Sequence, residues 1–286
     1  MTALDELWAH LNTLLLPAFT RYRGHITELP VEVKADKTLL TEADIAVQTS
    51  IVKAIRTMEP SAVIIAEEDE RVQTRTEVPG AGGRVWVVDP IDGTAEFVRA
   101  EATEFCSVVC LLEDWQPSAA FILAPELGRG RTPVLVTADV AAGSVSVNGL
   151  PAASPTTTDG DRWLSITRSA GDSARRVDPI AKAAGYQVKT RTTSQTLDMV
   201  RTAVDIADLT DPVLPRFSLF WRREQKLWDG AAGLALGRAR GLRDCDETGM
   251  ALPLGPQFLS AATPVFRSTV MGQPETVAWF LEAASR

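Results

Sequence analysis

Two apolar runs end abruptly in acid. Ala62-Val-Ile-Ile-Ala66 leads straight into Glu67-Glu68-Asp69-Glu70, and Arg84-Val-Trp-Val-Val88 leads straight into Asp89-Pro-Ile-Asp92-Gly-Thr94. Runs of this kind read as strands. A buried strand that ends in carboxylates places charge at the rim of a sheet, where ligands commonly bind. Pro90 and Gly93 shape a tight turn between Asp89 and Thr94. Such a turn can aim Asp89 and Asp92 inward at one point, with the Ile91 carbonyl between them.

Converging carboxylates repel one another strongly unless a cation neutralises them. Oxygen ligands without Cys or His suit a hard cation, Mg²⁺ above all. Two such ions about 3.5–4 Å apart are a common device for phosphoryl hydrolysis. An acidic run after a strand is also what a solvated loop looks like, and Pro and Gly commonly mark plain turns. A third element weighs against that reading. Trp228-Asp229-Gly-Ala-Ala-Gly233 opens a helix, and Asp229 lies near its positive dipole end.

The rest of the composition mainly excludes. With 286 residues, 45% apolar and 23% charged, the chain is expected to form one or two globular domains. Acidic residues outnumber basic ones by 37 to 29, a net charge of −8 that argues against nucleic acid as a partner. The only histidines are His10 and His25, and neither lies in a catalytic or zinc-binding motif. Cys106, Cys110 and Cys245 lack metal-like spacing and suit a reducing compartment. Asp5 and Glu6 near the N-terminus argue against a signal peptide. No apolar run approaches the roughly 20 residues that span a bilayer. A cytoplasmic location without membrane association is expected.

A helix is predicted over 3–22, with Pro17 expected to kink or end it. A second helix is capped by Thr41, with Asp44 three residues on completing a capping box. It places Val47, Ile51, Ile55 and Met58 on one face and stops at Pro60. Further strands are expected over 105–112, 119–123 and 134–136. The Gly-, Pro-, Ser- and Thr-rich stretch 141–160 divides the chain into 1–150, read as α+β, and 151–286, read as α/β. The second half reads as strand 163–167, helix 172–184, strand 186–189 and helix 194–206. Helices at 228–240 and 276–284 complete it.

Taken together, Glu67-Glu68, Asp89-Pro-Ile-Asp92-Gly-Thr94 and Trp228-Asp229-Gly-Ala-Ala-Gly233, in that order, resemble the motifs of the magnesium-dependent, lithium-sensitive phosphatases of the inositol monophosphatase superfamily. The stretch Lys34-Ala-Asp36-Lys-Thr-Leu-Leu-Thr41-Glu-Ala-Asp44, with Glu96 after Asp-Gly-Thr-Ala, is similar to the 3′(2′),5′-bisphosphate nucleotidase branch. The resemblance implies a layered αβαβα sandwich of the sugar-phosphatase type, with the site between two subdomains. It implies two or three Mg²⁺ ions held by Glu67, Asp89, the Ile91 carbonyl, Asp92 and Asp229. Asp44 and Thr94 would orient and deprotonate the attacking water, with Glu67 also serving catalysis. The backbone at Gly93 and Thr94 would cradle phosphate. Thr41 would fix Asp44, and Glu68 would support the metal ligands from behind. Lithium inhibition, calcium competition, and a monomer or homodimer are further implications.

The second half departs from the nucleotidase pattern. Thr167-Arg168-Ser169-Ala170 stands where Ser-Arg-Ser-His is expected, and Thr193-Ser194-Gln195-Thr196-Leu197-Asp198 where Gly-Ser-Ser-Leu-Lys is expected. Arg168, Ser194 and Asp198 are the expected substrate-binding positions. Arg216 or Arg222 is a candidate replacement for the missing cations. A carboxylate at Asp198 would repel a second phosphate. The expected activity is therefore hydrolysis of one phosphate from a small metabolite, a polyol, sugar or nucleoside-type monophosphate. The alternatives are a 3′(2′),5′-bisphosphate nucleotidase acting on 3′-phosphoadenosine 5′-phosphate, an inositol-1-monophosphatase, and an inactive ligand-sensing relative.

Overall fold

The computed structural model describes residues 2–34, 39–69, 83–152, 162–167 and 177–285. Helix α1 (Ala3–Gly24) begins with a capping box in which Thr2 and Asp5 each accept the other's backbone N–H. Pro17 neither ends nor divides it. Leu15 and Phe19 on either side are buried, and their packing outweighs the one N–H that proline removes. An antiparallel ribbon of β1 (Val31–Val33) and β2 (Leu39–Thr41) follows. Helix α2 (Glu42–Met58) starts at Thr41 with the expected capping box. It buries Val47, Ile51 and Ile55, while Met58 is only half-buried.

Seven strands form the large sheet: β3 (Val63–Ala66), β4 (Arg84–Asp92), β5 (Cys106–Glu113), β6 (Gln116–Ala124), β7 (Val134–Asp139), β8 (Ser144–Val147) and β9 (Leu150–Pro151). They lie side by side in chain order. β3 and β4 are parallel, and every later pair is antiparallel. A single-turn helix α3 (Thr94–Phe97) follows β4. The stretch expected to divide the chain thus supplies β8 and β9 to this sheet.

The second sheet holds β10 (Trp163–Ile166), β11 (Gln187–Lys189), β12 (Leu219–Lys226), β13 (Arg243–Cys245) and β14 (Val265–Gly272), in the order β11-β10-β12-β14-β13. β10 runs parallel to β11 and β12; β14 is antiparallel to its neighbours. Four longer helices accompany it, α4 (Val177–Ala183), α5 (Gln195–Ala203), α6 (Leu227–Ala239) and α7 (Pro274–Ser285), with a single turn of helix at Pro256–Leu259. Sequence reading missed β12, β13 and β14. The second half of β12 is Arg222-Arg223-Glu224-Gln225-Lys226, polar because it runs out to the site.

Three apolar cores define the layers. One holds α1, α2 and one face of the large sheet, with Trp86, Val88, Val109, Leu111 and Phe121. A second holds the alternate residues of those strands, Val85, Val87, Val108, Cys110 and Ile122, with α5, α6 and Phe220, Phe266 and Met271 of the small sheet. The third packs Leu219, Trp221 and Val270 against α4 and α7. The order is helix, sheet, helix, sheet, helix, the expected αβαβα sandwich. Helix α6 lies between the sheets and is apolar nearly all round, as a helix with no solvent face must be. At Gly233 an added Cβ would lie 2.6 Å from Met199 Cβ, so glycine lets α6 approach α5.

Candidate active site

The site is built around an irregularity in β4. Asp89 pairs with Val108, but Asp92 pairs with Cys106, so three steps along β4 match two along β5. In a regular strand residues three apart face opposite sides. The extra residue restores them to one side, the side that faces α6. There Asp229, in the first turn of α6, meets them. One carboxylate oxygen each of Asp89, Asp92 and Asp229 lies within 4.8 Å of the other two. They line a cavity of about 330 Å³ shared with Glu67, Ile91, Gly93, Thr94, Gln195, Arg222 and Lys226.

Asp89 is 1%, Asp92 6% and Asp229 9% exposed. Burial, followed by the charges of Glu67, Asp92 and Asp229, pushes Asp89 well above the carboxylate range. Burial and the charges of Asp92 and Glu67 do the same to Asp229. Asp92 rises less, to about 6, because burial is opposed by donors at the start of α5. Ser194 Oγ donates to it at 2.7 Å, the Thr196 N–H at 2.6 Å and the Gln195 N–H at 3.3 Å. Gln195 Nε2 donates to Asp229 at 2.6 Å. Neutral donors orient these carboxylates without cancelling their charge. A hard divalent cation suits such a set of buried, mutually repelling oxygen ligands.

Asp44 and Thr94 are brought together from different elements. Thr94 Oγ1 lies 3.4 Å from Asp44 Oδ1 and 3.0 Å from the Ile91 carbonyl oxygen. Asp44 is fully buried, and Thr41 holds it by donating its N–H at 2.8 Å and its hydroxyl at 2.6 Å. Burial raises Asp44 to about 7 against the pull of those bonds. Gly93 adopts φ +90°, and an added Cβ there would lie 3.0 Å from the Glu104 carbonyl oxygen, so the turn requires glycine.

Glu67 faces the cavity, 3.0 Å from Lys34 Nζ and 3.9 Å from Lys226 Nζ. Glu68 is buried behind it, ion-paired with Lys34, and its N–H donates to Gln48 Oε1 at 2.9 Å. Burial, then the charge of Glu67, raises Glu68.

Two of the expected substrate positions, Ser194 and Asp198, lie off the cavity lining. Ser194 is fully buried and donates its hydroxyl to Asp92 while capping α5, so it does not line the cavity. Asp198 does not line the cavity. It is fully buried and accepts from Ser165 Oγ at 2.7 Å and Lys189 Nζ at 2.6 Å, with Arg201 at 3.6 Å. Its charge is neutralised within the protein and gives no repulsion toward a second phosphate. Arg168 lies outside the described residues. Arg222 lines the cavity, whereas Arg216 does not. Sequence reading gave Gln195, Lys226 and Thr196 no role. Gln195 and Thr196 are signalled by lying in the stretch that stands where the nucleotidase pocket element is expected, and Lys226 only by adjacency to Trp228-Asp229.

Among the described residues, no helix is long and apolar enough to cross a membrane. A histidinol-phosphatase of Mycobacterium tuberculosis is 37% identical over 110 residues, covering 38% of this chain and 40% of that protein. The 3′(2′),5′-bisphosphate nucleotidase CysQ of Salmonella typhimurium is 37% identical over 94 residues, covering 33% of this chain and 37% of that protein. The matched segments thus span about two fifths of these curated relatives. The crystal structure of extragenic suppressor protein suhB from Bartonella henselae matches with a TM-score of 0.76 and 17% identity, covering 100% of this chain and 99% of that one. At that identity the likeness is one of fold. The match to the inositol monophosphatase family runs from residue 8 to residue 276, through both sheets and every acidic element of the cavity, and this chain belongs to that family.

Proposed function

We propose that the chain is a Mg²⁺-dependent phosphomonoesterase acting on a small phosphorylated metabolite, its site lying between subdomains 1–150 and 151–286. One observation carries this reading. Three buried carboxylates meet within 4.8 Å on the same cavity as Thr94, whose hydroxyl lies 3.4 Å from the buried Asp44. Family membership and the names of the two curated relatives support it.

Glu67, Asp89, the Ile91 carbonyl, Asp92 and Asp229 would hold two or three Mg²⁺ ions. Bound there, Mg²⁺ supplies charge neutralisation at phosphate oxygens and acidifies water. The protein's own groups then do the rest. Thr94 Oγ1 accepts a proton from the attacking water and passes its own to Asp44, whose elevated affinity for protons suits a base working near neutral pH. Thr41 keeps Asp44 aimed at Thr94. The backbone at Gly93 and Thr94 opens α3 with N–H groups that have no partner within that helix, and it cradles phosphate.

A polyol, sugar or nucleoside-type monophosphate is the proposed substrate. The internal pairing of Asp198 withdraws the objection to a second phosphate, and Arg222 on the cavity wall favours the nucleotidase alternative. A panel of phosphate esters decides. Mg²⁺-dependent phosphate release is expected, and Asp92→Asn should lower it by more than the roughly 10–100-fold cost of losing a supporting partner. A bisphosphate nucleotide turned over far faster than every monophosphate would select the nucleotidase. Release that ignores Mg²⁺ and survives Asp92→Asn would discard the metal-based reading.

A further inference from the structure

Glu96 takes no part in the chemistry of metal, water or phosphate described above. It lies in α3, is 3% exposed and does not line the cavity. A buried carboxylate needs partners, and two arginines supply them. Arg99, three residues on, places Nη1 2.9 and 3.1 Å from its two oxygens. Arg191, in the segment that joins β11 to α5, places Nη2 3.0 Å from each of them. The Arg99 pair closes within one stretch of chain. The Arg191 pair joins the first half of the chain to the second, and the arginine side chain is 66% exposed.

The segment 191–194 meets the first half at three places. Arg191 grips Glu96, Thr193 on the cavity lining lies 3.4 Å from Glu104, and Ser194 donates to Asp92 at 2.7 Å. Thr192 accepts from Arg222 on the cavity wall at 3.4 Å. Helix α3 itself is one turn long, closed by the N–H groups of Glu96 and Phe97 on the Gly93 carbonyl and of Val98 on that of Thr94. So short a helix keeps its place through side-chain contacts rather than its own hydrogen bonds.

We propose that the Glu96–Arg191 pair positions the phosphate cradle, tying α3 to the segment 191–194 so that the Gly93 and Thr94 N–H groups stay in register with the opposite wall of the cavity. This rests on the phosphomonoesterase reading and deepens it. Both are positioning residues, since neither lines the cavity. Thr94 Oγ1 is held by Ile91 and Asp44, both in the first half, so the water-activating geometry does not depend on the pair. Its loss should weaken phosphate binding and spare the chemical step.

The two arginines supply the experiment, because they reach one carboxylate from different halves. In Arg191→Gln, KM for the fastest-released ester of the panel should rise about tenfold, within the range of coupled charge pairs. Its kcat should stay within about threefold, the pattern of lost uniform binding. Calorimetric titration with inorganic phosphate in the presence of Mg²⁺ should show the same weakening. Arg99→Gln should leave both constants near those of the unmodified protein, and Arg191→Lys should recover most of the loss. Adding Glu96→Gln to Arg191→Gln should raise KM little further, because partners in contact do not add. In the metal-free protein, amide exchange at Phe97 and Val98 should quicken in Arg191→Gln and not in Arg99→Gln.

Arg191 is exposed, so its substitution does not threaten the fold. Equal effects of Arg191→Gln and Arg99→Gln on KM would overturn the proposal. So would a lowered Tm in Arg191→Gln with KM and phosphate affinity unchanged, which would leave the pair a stabilising contact only. A fall in kcat alone would overturn it too. Absence of phosphate release from every ester in the unmodified protein would instead sink the phosphomonoesterase reading, while amide exchange would still report whether Arg191 holds α3.

Discussion

Helix α5 stands between two buried aspartates with opposite fates. At its start, Asp92 is surrounded by neutral donors and other carboxylates. Inside its first turn, Asp198 is clasped by Lys189 at 2.6 Å and approached by Arg201 at 3.6 Å, with Glu104 3.3 Å from Arg201 completing the network. Both are nearly or fully buried. One charge is answered within the protein, and the other is left for something from outside. Burial of a carboxylate therefore does not by itself mark a ligand site; the sign of its neighbours does.

The sharpest way to break this comparison is to remove each charge in turn. Asp198→Asn strips a buried counter-charge from Lys189 and Arg201, and denaturant unfolding should show a loss of about 3–5 kcal/mol. Asp92→Asn removes repulsion instead, so the metal-free protein should keep or gain stability at pH 8 while its Mg²⁺-linked stabilisation disappears. Equal losses in both variants would erase the distinction.

A smaller effect tests the helix that joins the two regions. Gly233→Ala drives a methyl into Met199 on α5 and should cost about 1–3 kcal/mol by overpacking, with Mg²⁺ affinity lowered because the N-terminus of α5 orients Asp92. A thermal melt and a metal titration check it. An unchanged melt would mean that α5 and α6 have room the structure does not show.

The smallest predicted effect follows from proton linkage. Asp89 and Asp229 are raised, Asp92 to about 6 and Asp44 to about 7, so the native state holds protons that the unfolded chain releases at lower pH. Their contribution to stability is full below the ordinary carboxylate pKa of about 4 and is lost as pH rises through about 6 to 7. Bound Mg²⁺ favours the ionised forms. The rise in Tm on adding Mg²⁺ should therefore be larger at pH 8 than at pH 5.5. A rise independent of pH would contradict a site made of these groups.

Much of this was legible along the chain. The capping box at Thr41–Asp44 follows from a three-residue spacing, and the structure builds it as expected. Asp89, Ile91, Asp92 and Thr94 lie within six residues, so bringing them together is a local matter of the bulge in β4 and the turn at Gly93. Pro17 misled because a local rule about a missing N–H says nothing about the packing of Leu15 and Phe19. Strands β12 and β14 escaped notice because they pair with one another across a long separation, Leu219 with Gly272 53 residues on and Arg222 with Thr269 47 residues on. Their pattern carries little without that pairing.

The sequence by itself determined where acid meets strand ends, that Gly93 sits at a turn, and which threonine caps the helix holding Asp44, because each depends on a few adjacent residues. Only the tertiary structure decided which carboxylates keep an unanswered charge. Ser194 reaches Asp92 across 102 residues, and Gln195 reaches Asp229 across 34. Lys189, at the end of β11, meets Asp198 in the first turn of α5 only nine residues on, where the chain turns back on itself. An aspartate's chemistry is set by the charges and donors that burial puts beside it, and those come from parts of the chain that local spacing cannot see.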